Sequence, residues 1–181
     1  NNMYHSLGTP EQVTEFENYA FLFDLDGTLV HTDNVYLKVW DEILSKYNIS
    51  VDEKFFDNFI KGKSDDNFLK YLLPDITSAQ IDAISNQKDA KFIKYLKQQT
   101  KDSILIDGVV DFFEKIKNNN IAIVTNCNRK SAEFILKHTN LDRYINLLIS
   151  SNDCINKKPD PEPYQKAIDY FNIDRKRCEC Y

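Results

Sequence analysis

Phe21-Leu22-Phe23-Asp24-Leu25-Asp26-Gly27-Thr28-Leu29 passes from an apolar run into two carboxylates set one residue apart, and a glycine follows. A strand covered by helices on both faces reads as a nearly unbroken apolar run, and in open α/β sheets ligands sit just beyond the carboxyl ends of the strands. Asp24 and Asp26 fall at that point. A carboxylate there can attack phosphorus and form an aspartyl-phosphate, which divides one difficult displacement into two easier ones. Asp24 suits that role. Asp26 projects to the same side as Asp24 if the backbone is still extended, and it could then protonate a leaving oxygen and later take a proton from water. Gly27 frees the chain to turn sharply, so that main-chain N–H groups can approach phosphate oxygens. The competing reading is a strand closed by an ordinary Asx-type turn.

Two later segments weigh against the plain turn. Ile121-Ala122-Ile123-Val124-Thr125-Asn126 is a second short β-branched run, ending in a hydroxyl and an amide. A hydroxyl at a strand end can donate to a phosphate oxygen, although a Thr-Asn pair is also common turn chemistry. A third apolar run, Leu147-Leu148-Ile149-Ser150, leads by a short loop into Lys157-Lys158-Pro159-Asp160-Pro161-Glu162-Pro163. Prolines there hold the chain extended and then favour a first helical turn, which fixes where a neighbouring lysine points. A fixed ammonium can neutralise a phosphate and two nearby carboxylates.

In this order the three pieces resemble the haloacid dehalogenase superfamily of phosphatases and phosphomutases, from about Tyr19 to the end of the sequence. The first motif is matched by Asp24-Leu25-Asp26-Gly27-Thr28, the second by Thr125, and the third by Lys158 ahead of Pro159-Asp160-Pro161. The resemblance implies that Asp24 is the nucleophile and a ligand of Mg2+, and that Asp26 is the acid/base and gives a main-chain carbonyl to the metal. It implies further that Thr125 and Lys158 hold the phosphoryl group, with Gly27, Thr28 and Asn126 beside the substrate. A second aspartate at position 26 sets the chain apart from the dehalogenases that gave the superfamily its name. The superfamily's fourth motif, an acidic pair completing the metal site, has no counterpart before the closing Cys178-Glu179-Cys180-Tyr181. The expectation is therefore a fragment of a longer product, with weak metal binding by Asp24 and Asp26 alone. A product ending at Tyr181 is further expected to leave one side of the first strand unpaired and so to dimerise or dissolve poorly.

At 181 residues, 42% of them hydrophobic with 12 Phe and 10 Tyr, the chain can build a real core. A net charge of −5 argues against nucleic-acid binding as the main task. No apolar run reaches bilayer-spanning length and no signal pattern opens the sequence, so the expected site of action is the cytoplasm. Cys127, Cys154, Cys178 and Cys180 form no zinc-like pairs and are read as reduced thiols.

Between the first acids and the second strand the period becomes helical. Trp40, Ile43, Leu44 and Tyr47 recur at helical spacing, as do Ile81, Ile84, Lys88 through its stem, Phe92, Ile93 and Leu96. Thr77-Ser78-Ala79-Gln80 reads as a capping box opening the second of these helices. Phe55, Phe56, Phe59 and Ile60 mark a short helix, and Phe68, Leu69 and Leu72 another. Such an insertion could close over the acids and exclude water. It resembles the small helical cap of the β-phosphoglucomutase and phosphoglycolate phosphatase branch, with Lys61-Gly62-Lys63-Ser64 like that branch's substrate-specificity loop. Glycine flanked by lysines could neutralise a second anionic group on the substrate, and a solvated turn is an equal alternative. Tyr36 stands where the mutases have a histidine, and Asp65 replaces an expected arginine.

The expected architecture is a doubly wound, Rossmann-like α/β core from residues 19–32 and 104–181, with a helical cap over 33–103 and an N-terminal extension over 1–18. The expected function is a magnesium-dependent phosphatase acting on a small phosphorylated metabolite through an aspartyl-phosphate. The alternatives are a sugar-phosphate mutase and a non-catalytic binding module of the same fold.

Overall fold

Ala20–Phe23 forms strand β1, and all four of its residues are buried. The computed structural model describes residues 19–181; the extension 1–18, with His5 and the short helix expected over Glu11 to Phe16, lies outside the described residues. β1 pairs in parallel with β2 (Asn120–Val124), placing Phe21 opposite Ile121 and Phe23 opposite Ile123. Beyond β2 lies β3 (Leu147–Ile149), also parallel. On its other side β1 pairs with β4 (Cys178–Cys180), and the four-stranded order is β3-β2-β1-β4. The expectation of an unpaired side on β1 is thus corrected. Leu22 accepts from the Tyr181 N–H at 3.0 Å and the Asp24 N–H donates to the Tyr181 carbonyl at 2.9 Å, so the first strand is central.

The alternation along β1 explains the two faces. Phe21 and Phe23 point into the larger core, while Ala20 and Leu22 join Ala122, Val124 and Ala167 in a smaller one. Small residues on that second face let helix α8 (Glu162–Phe171) lie close across β1, β2 and β3. Phe23 sits 5.0 Å from the Phe113 ring of α6 (Val109–Ile116), whose start is set by Gly108 in the left-handed region, at φ 83°. Helix α7 (Arg129–Thr139) follows β2; the Asn128 side chain accepts from the Ser131 N–H at its start, and Asn140 closes it in the left-handed conformation.

No named strand interrupts the stretch between β1 and α6. It holds α1 (Asp33–Leu44), α2 (Glu53–Phe55) running into a π-helical turn (Phe56–Ile60), α3 (Asp65–Leu72), α4 (Ser78–Leu96) and α5 (Lys101–Ile104). The capping box at Thr77 and Gln80 is present as read from the sequence. Tyr47 does not extend the face of α1, because Asn48 at φ 59° ends the helical path and leaves Tyr47 42% exposed. The expected single helix over Phe55 to Ile60 instead widens into the π turn, which buries Phe56 and Ile60 together. Lys88 was expected to use only its stem on the apolar face of α4. Its ammonium is also drawn in, for reasons given below.

Trp40 on α1 is the anchor of this helical layer, 1% exposed and edge-on to Phe68 of α3 at 4.7 Å between ring centroids. Truncation to alanine leaves a large cavity where packing is tight. We expect Trp40→Ala to lower unfolding free energy by about 3–5 kcal/mol. Urea unfolding followed by circular dichroism reads this, since the variant loses the chain's one tryptophan as a fluorescent probe. A loss under about 1 kcal/mol would contradict the packing described.

Candidate active site

Asp24 is the first residue past β1, and its carboxylate is held from two directions. The Leu25 N–H donates to Asp24 Oδ1 at 2.7 Å, and Lys158 Nζ lies 2.7 Å from the same oxygen. Lys158 also donates to the Val124 carbonyl at 2.9 Å, so the ammonium bridges the ends of β1 and β2. Its main chain is gripped by the Asn126 amide: Asn126 Nδ2 donates to the Lys158 carbonyl at 3.1 Å, and the Lys158 N–H donates to Asn126 Oδ1 at 3.0 Å. Both ends of the Asn126 amide are thereby occupied. Thr125, buried at the end of β2, accepts from the Cys127 N–H at 3.0 Å. Its hydroxyl hydrogen can still be donated.

The chain leaves Asp24 in a tight turn rather than in continued extension. Gly27 adopts φ +83°, where a side chain is strained, and its N–H donates to the Val30 carbonyl at 2.8 Å. That N–H is occupied within the turn. The turn returns the chain so that Thr32 Oγ1 donates to Asp26 Oδ1 at 2.5 Å. Burial dominates the Asp26 environment. With the nearby Asp24 and Asp33 charges it outweighs the Thr32 hydrogen bond and pushes the carboxyl up to about 6. Near neutral pH a proton can then be held or released at this position.

These groups line a cavity of about 570 Å³. Asp24, Asp26, Thr125, Asn126 and Lys158 form its floor; Lys61, Gly62 and Lys63 reach it from the turn after the π helix. Gly27, Thr28 and Ser64 do not line it, and Ser64 instead caps α3 by accepting from the Asn67 N–H. The far wall holds Tyr36 and Asp65, compared above with the mutases, together with residues that motif reading did not single out for the site: Trp40, Phe56, Ile60, Asp33 and Lys88. Lys88 on the otherwise apolar face of α4 was the available signal. Its Nζ lies 2.8 Å from Asp65 and 3.0 Å from Asp89, and although burial opposes the charged form, the two carboxylates raise the ammonium above its ordinary range. Tyr36 Oη and Cys127 Sγ are 3.4 Å apart, and burial raises both groups, keeping them protonated.

Asp24's carboxylate and the main-chain carbonyl of Asp26 are hard oxygen donors, the chemistry that suits Mg2+. Among the described residues no group of three His, Cys, Asp or Glu converges on a metal position. The donors therefore fit an ion that keeps several water or phosphate ligands. Also among the described residues, no helix is long and apolar enough to cross a membrane.

A parallel sheet flanked by helices, with a carboxylate-centred cavity at the carboxyl ends of its strands, places the chain among Rossmann-like α/β proteins that bind ligands at that edge. The family model of haloacid dehalogenase-like hydrolases matches residues 21–178, and the chain belongs to that family. It is 28% identical over 155 residues to pyrophosphatase PpaX of Bacillus mycoides, spanning 83% of this chain and 68% of the relative. N-acetylmuramic acid 6-phosphate phosphatase of Pseudomonas putida is 27% identical over 161 residues, covering 86% and 70%. The crystal structure of β-phosphoglucomutase from Clostridium difficile superposes with a TM-score of 0.80 at 22% identity, covering 91% of this chain and 75% of that one; the likeness is one of fold.

Proposed function

We propose that the chain is a phosphatase that moves the phosphoryl group of a small dissolved ester onto Asp24 and then to water. One observation carries the reading: Lys158 lies 2.7 Å from Asp24 Oδ1, at the end of the strand whose next acid, Asp26, is held in its protonatable range. The relatives named as phosphatases support the same class.

In the first step an Asp24 oxygen forms a bond to phosphorus as the bond to the ester oxygen breaks, and Asp26 gives its proton to that oxygen. In the second, the Asp26 carboxylate takes a proton from water, whose oxygen attacks phosphorus and releases Asp24 and inorganic phosphate. The Lys158 ammonium and Thr125 hydroxyl face the phosphoryl oxygens as charge moves through them. Asp24 and the Asp26 carbonyl would hold Mg2+, which when bound neutralises phosphoryl charge. The helices over residues 33–103 serve as a cap that excludes water from the phosphoenzyme. Four free cysteines suit a reducing cytosol.

The test is beryllium trifluoride, a phosphoryl mimic, added with Mg2+ and followed by diffraction. The expected adduct is on Asp24, accompanied by phosphate release from a panel of sugar phosphates. An empty cavity or an adduct on another residue ends the assignment.

A further inference from the structure

The far wall of the cavity is charged yet leaves little for an incoming anion. Lys88 Nζ is enclosed by Asp65 and Asp89, and its side chain is only 11% exposed. Lys61 Nζ lies 2.5 Å from Asp33 and 3.9 Å from Asp57. Lys63 donates to the Asn58 carbonyl at 2.7 Å and sits 5.6 Å from the Phe59 ring centroid, on a residue that does not line the cavity. At Lys61 and Lys88 a second phosphate or a carboxylate would have to displace a carboxylate already paired, and Asp33 and Asp65 would repel it. Asp65 bonds Lys88 through one oxygen, so its other oxygen can accept from a hydroxyl; Trp40, Phe56 and Ile60 beside it offer an apolar surface.

We propose that the Asp65–Lys88 ion pair sets substrate choice, selecting a phosphate ester whose remaining part is neutral and hydroxyl-bearing and rejecting one with a second anionic group. This rests on the cavity floor being the phosphoryl site. It departs from the sequence expectation that Lys61 and Lys63 neutralise a second anion. It also disfavours mutase chemistry, in which the reoriented intermediate carries two phosphates.

The experiment compares sorbitol 6-phosphate with 6-phosphogluconate, which differ only in a terminal hydroxymethyl against a carboxylate. Binding to the full chain is measured by calorimetry with Mg2+, in an Asp24→Asn background that prevents turnover. The expected result is sorbitol 6-phosphate binding at least about tenfold more tightly, a difference of about 1.4 kcal/mol. Adding Asp65→Asn leaves Lys88 with Asp89 as its one carboxylate partner and should strengthen 6-phosphogluconate about tenfold while changing sorbitol 6-phosphate less than about threefold. If Asp65→Asn fails to fold by circular dichroism, Lys88→Gln replaces it, and the gap between the probes should widen. Equal or tighter binding of 6-phosphogluconate, a ratio that neither variant moves, or no binding of either probe overturns the proposal. Failure of the phosphatase reading itself appears separately, as the absence of a beryllium trifluoride adduct on Asp24 in the unsubstituted chain.

Discussion

Asp24→Asn should lower phosphate release by about 10⁴-fold or more while the protein stays folded. The amide has no electron pair nucleophilic enough to attack phosphorus, so no covalent intermediate forms and the divided route closes. Lys158 loses its charged partner but keeps the Val124 carbonyl at 2.9 Å and the two Asn126 contacts to its main chain, so its position should survive. Asp24 is 35% exposed, and loss of one partly solvated pair costs about 1 kcal/mol or less. Steady-state phosphate release and urea unfolding, measured on the same preparation, separate the two effects. Activity within tenfold of the unsubstituted chain would remove Asp24 as nucleophile.

Asp26→Asn should act in opposite directions on rate and stability. Loss of the proton carrier is expected to reduce turnover about 10²–10⁴-fold. Stability in EDTA should rise at pH 7.5, because the ionised carboxyl is partly buried and lies near Asp24 and Asp33. The sign follows from linkage: the folded carboxyl titrates at about 6 against an ordinary 3.8, so the folded state binds the proton more tightly. Stability therefore falls as pH climbs from about 4 through 6, and the loss persists above, at about 3 kcal/mol as an upper figure. Asparagine can still accept from Thr32 and carries no charge, so the variant avoids that loss. Urea unfolding at pH 4 and pH 7.5 should show the two proteins converging at the lower value. A variant less stable than the unsubstituted chain at pH 7.5 would contradict the description of this carboxyl.

What could be read in advance was local. Phe21–Asp26, Ile121–Thr125 and Lys158-Pro159 carry their meaning in consecutive residues, so both the sheet and the floor of the cavity followed from short runs. The family match supports that architecture, and the structure brings Asp24, Asp26, Thr125 and Lys158 to one cavity. Partners chosen across the fold were not legible. Lys61 is 28 residues from Asp33 and Lys88 is 23 from Asp65, and nothing in the sequence says that these charges meet. The π turn was hidden because Phe55, Phe56, Phe59 and Ile60 also satisfy an α-helical spacing. Cys178-Glu179-Cys180 could be read as the start of a strand, but not its place beside β1, because the segment is short and the pairing depends on neighbours 158 residues away.

Asn126 makes the strand-end hydroxyl and the loop ammonium a single part. Because its amide clasps the peptide groups on either side of the Lys158 α-carbon, the gap between Thr125 and Lys158 works like a gauge block, machined to one width. Thermal wandering of the proline-rich loop is thereby coupled to the second strand. In the reaction proposed above, a tetrahedral anion bound between them meets a fixed aperture instead of a floating charge.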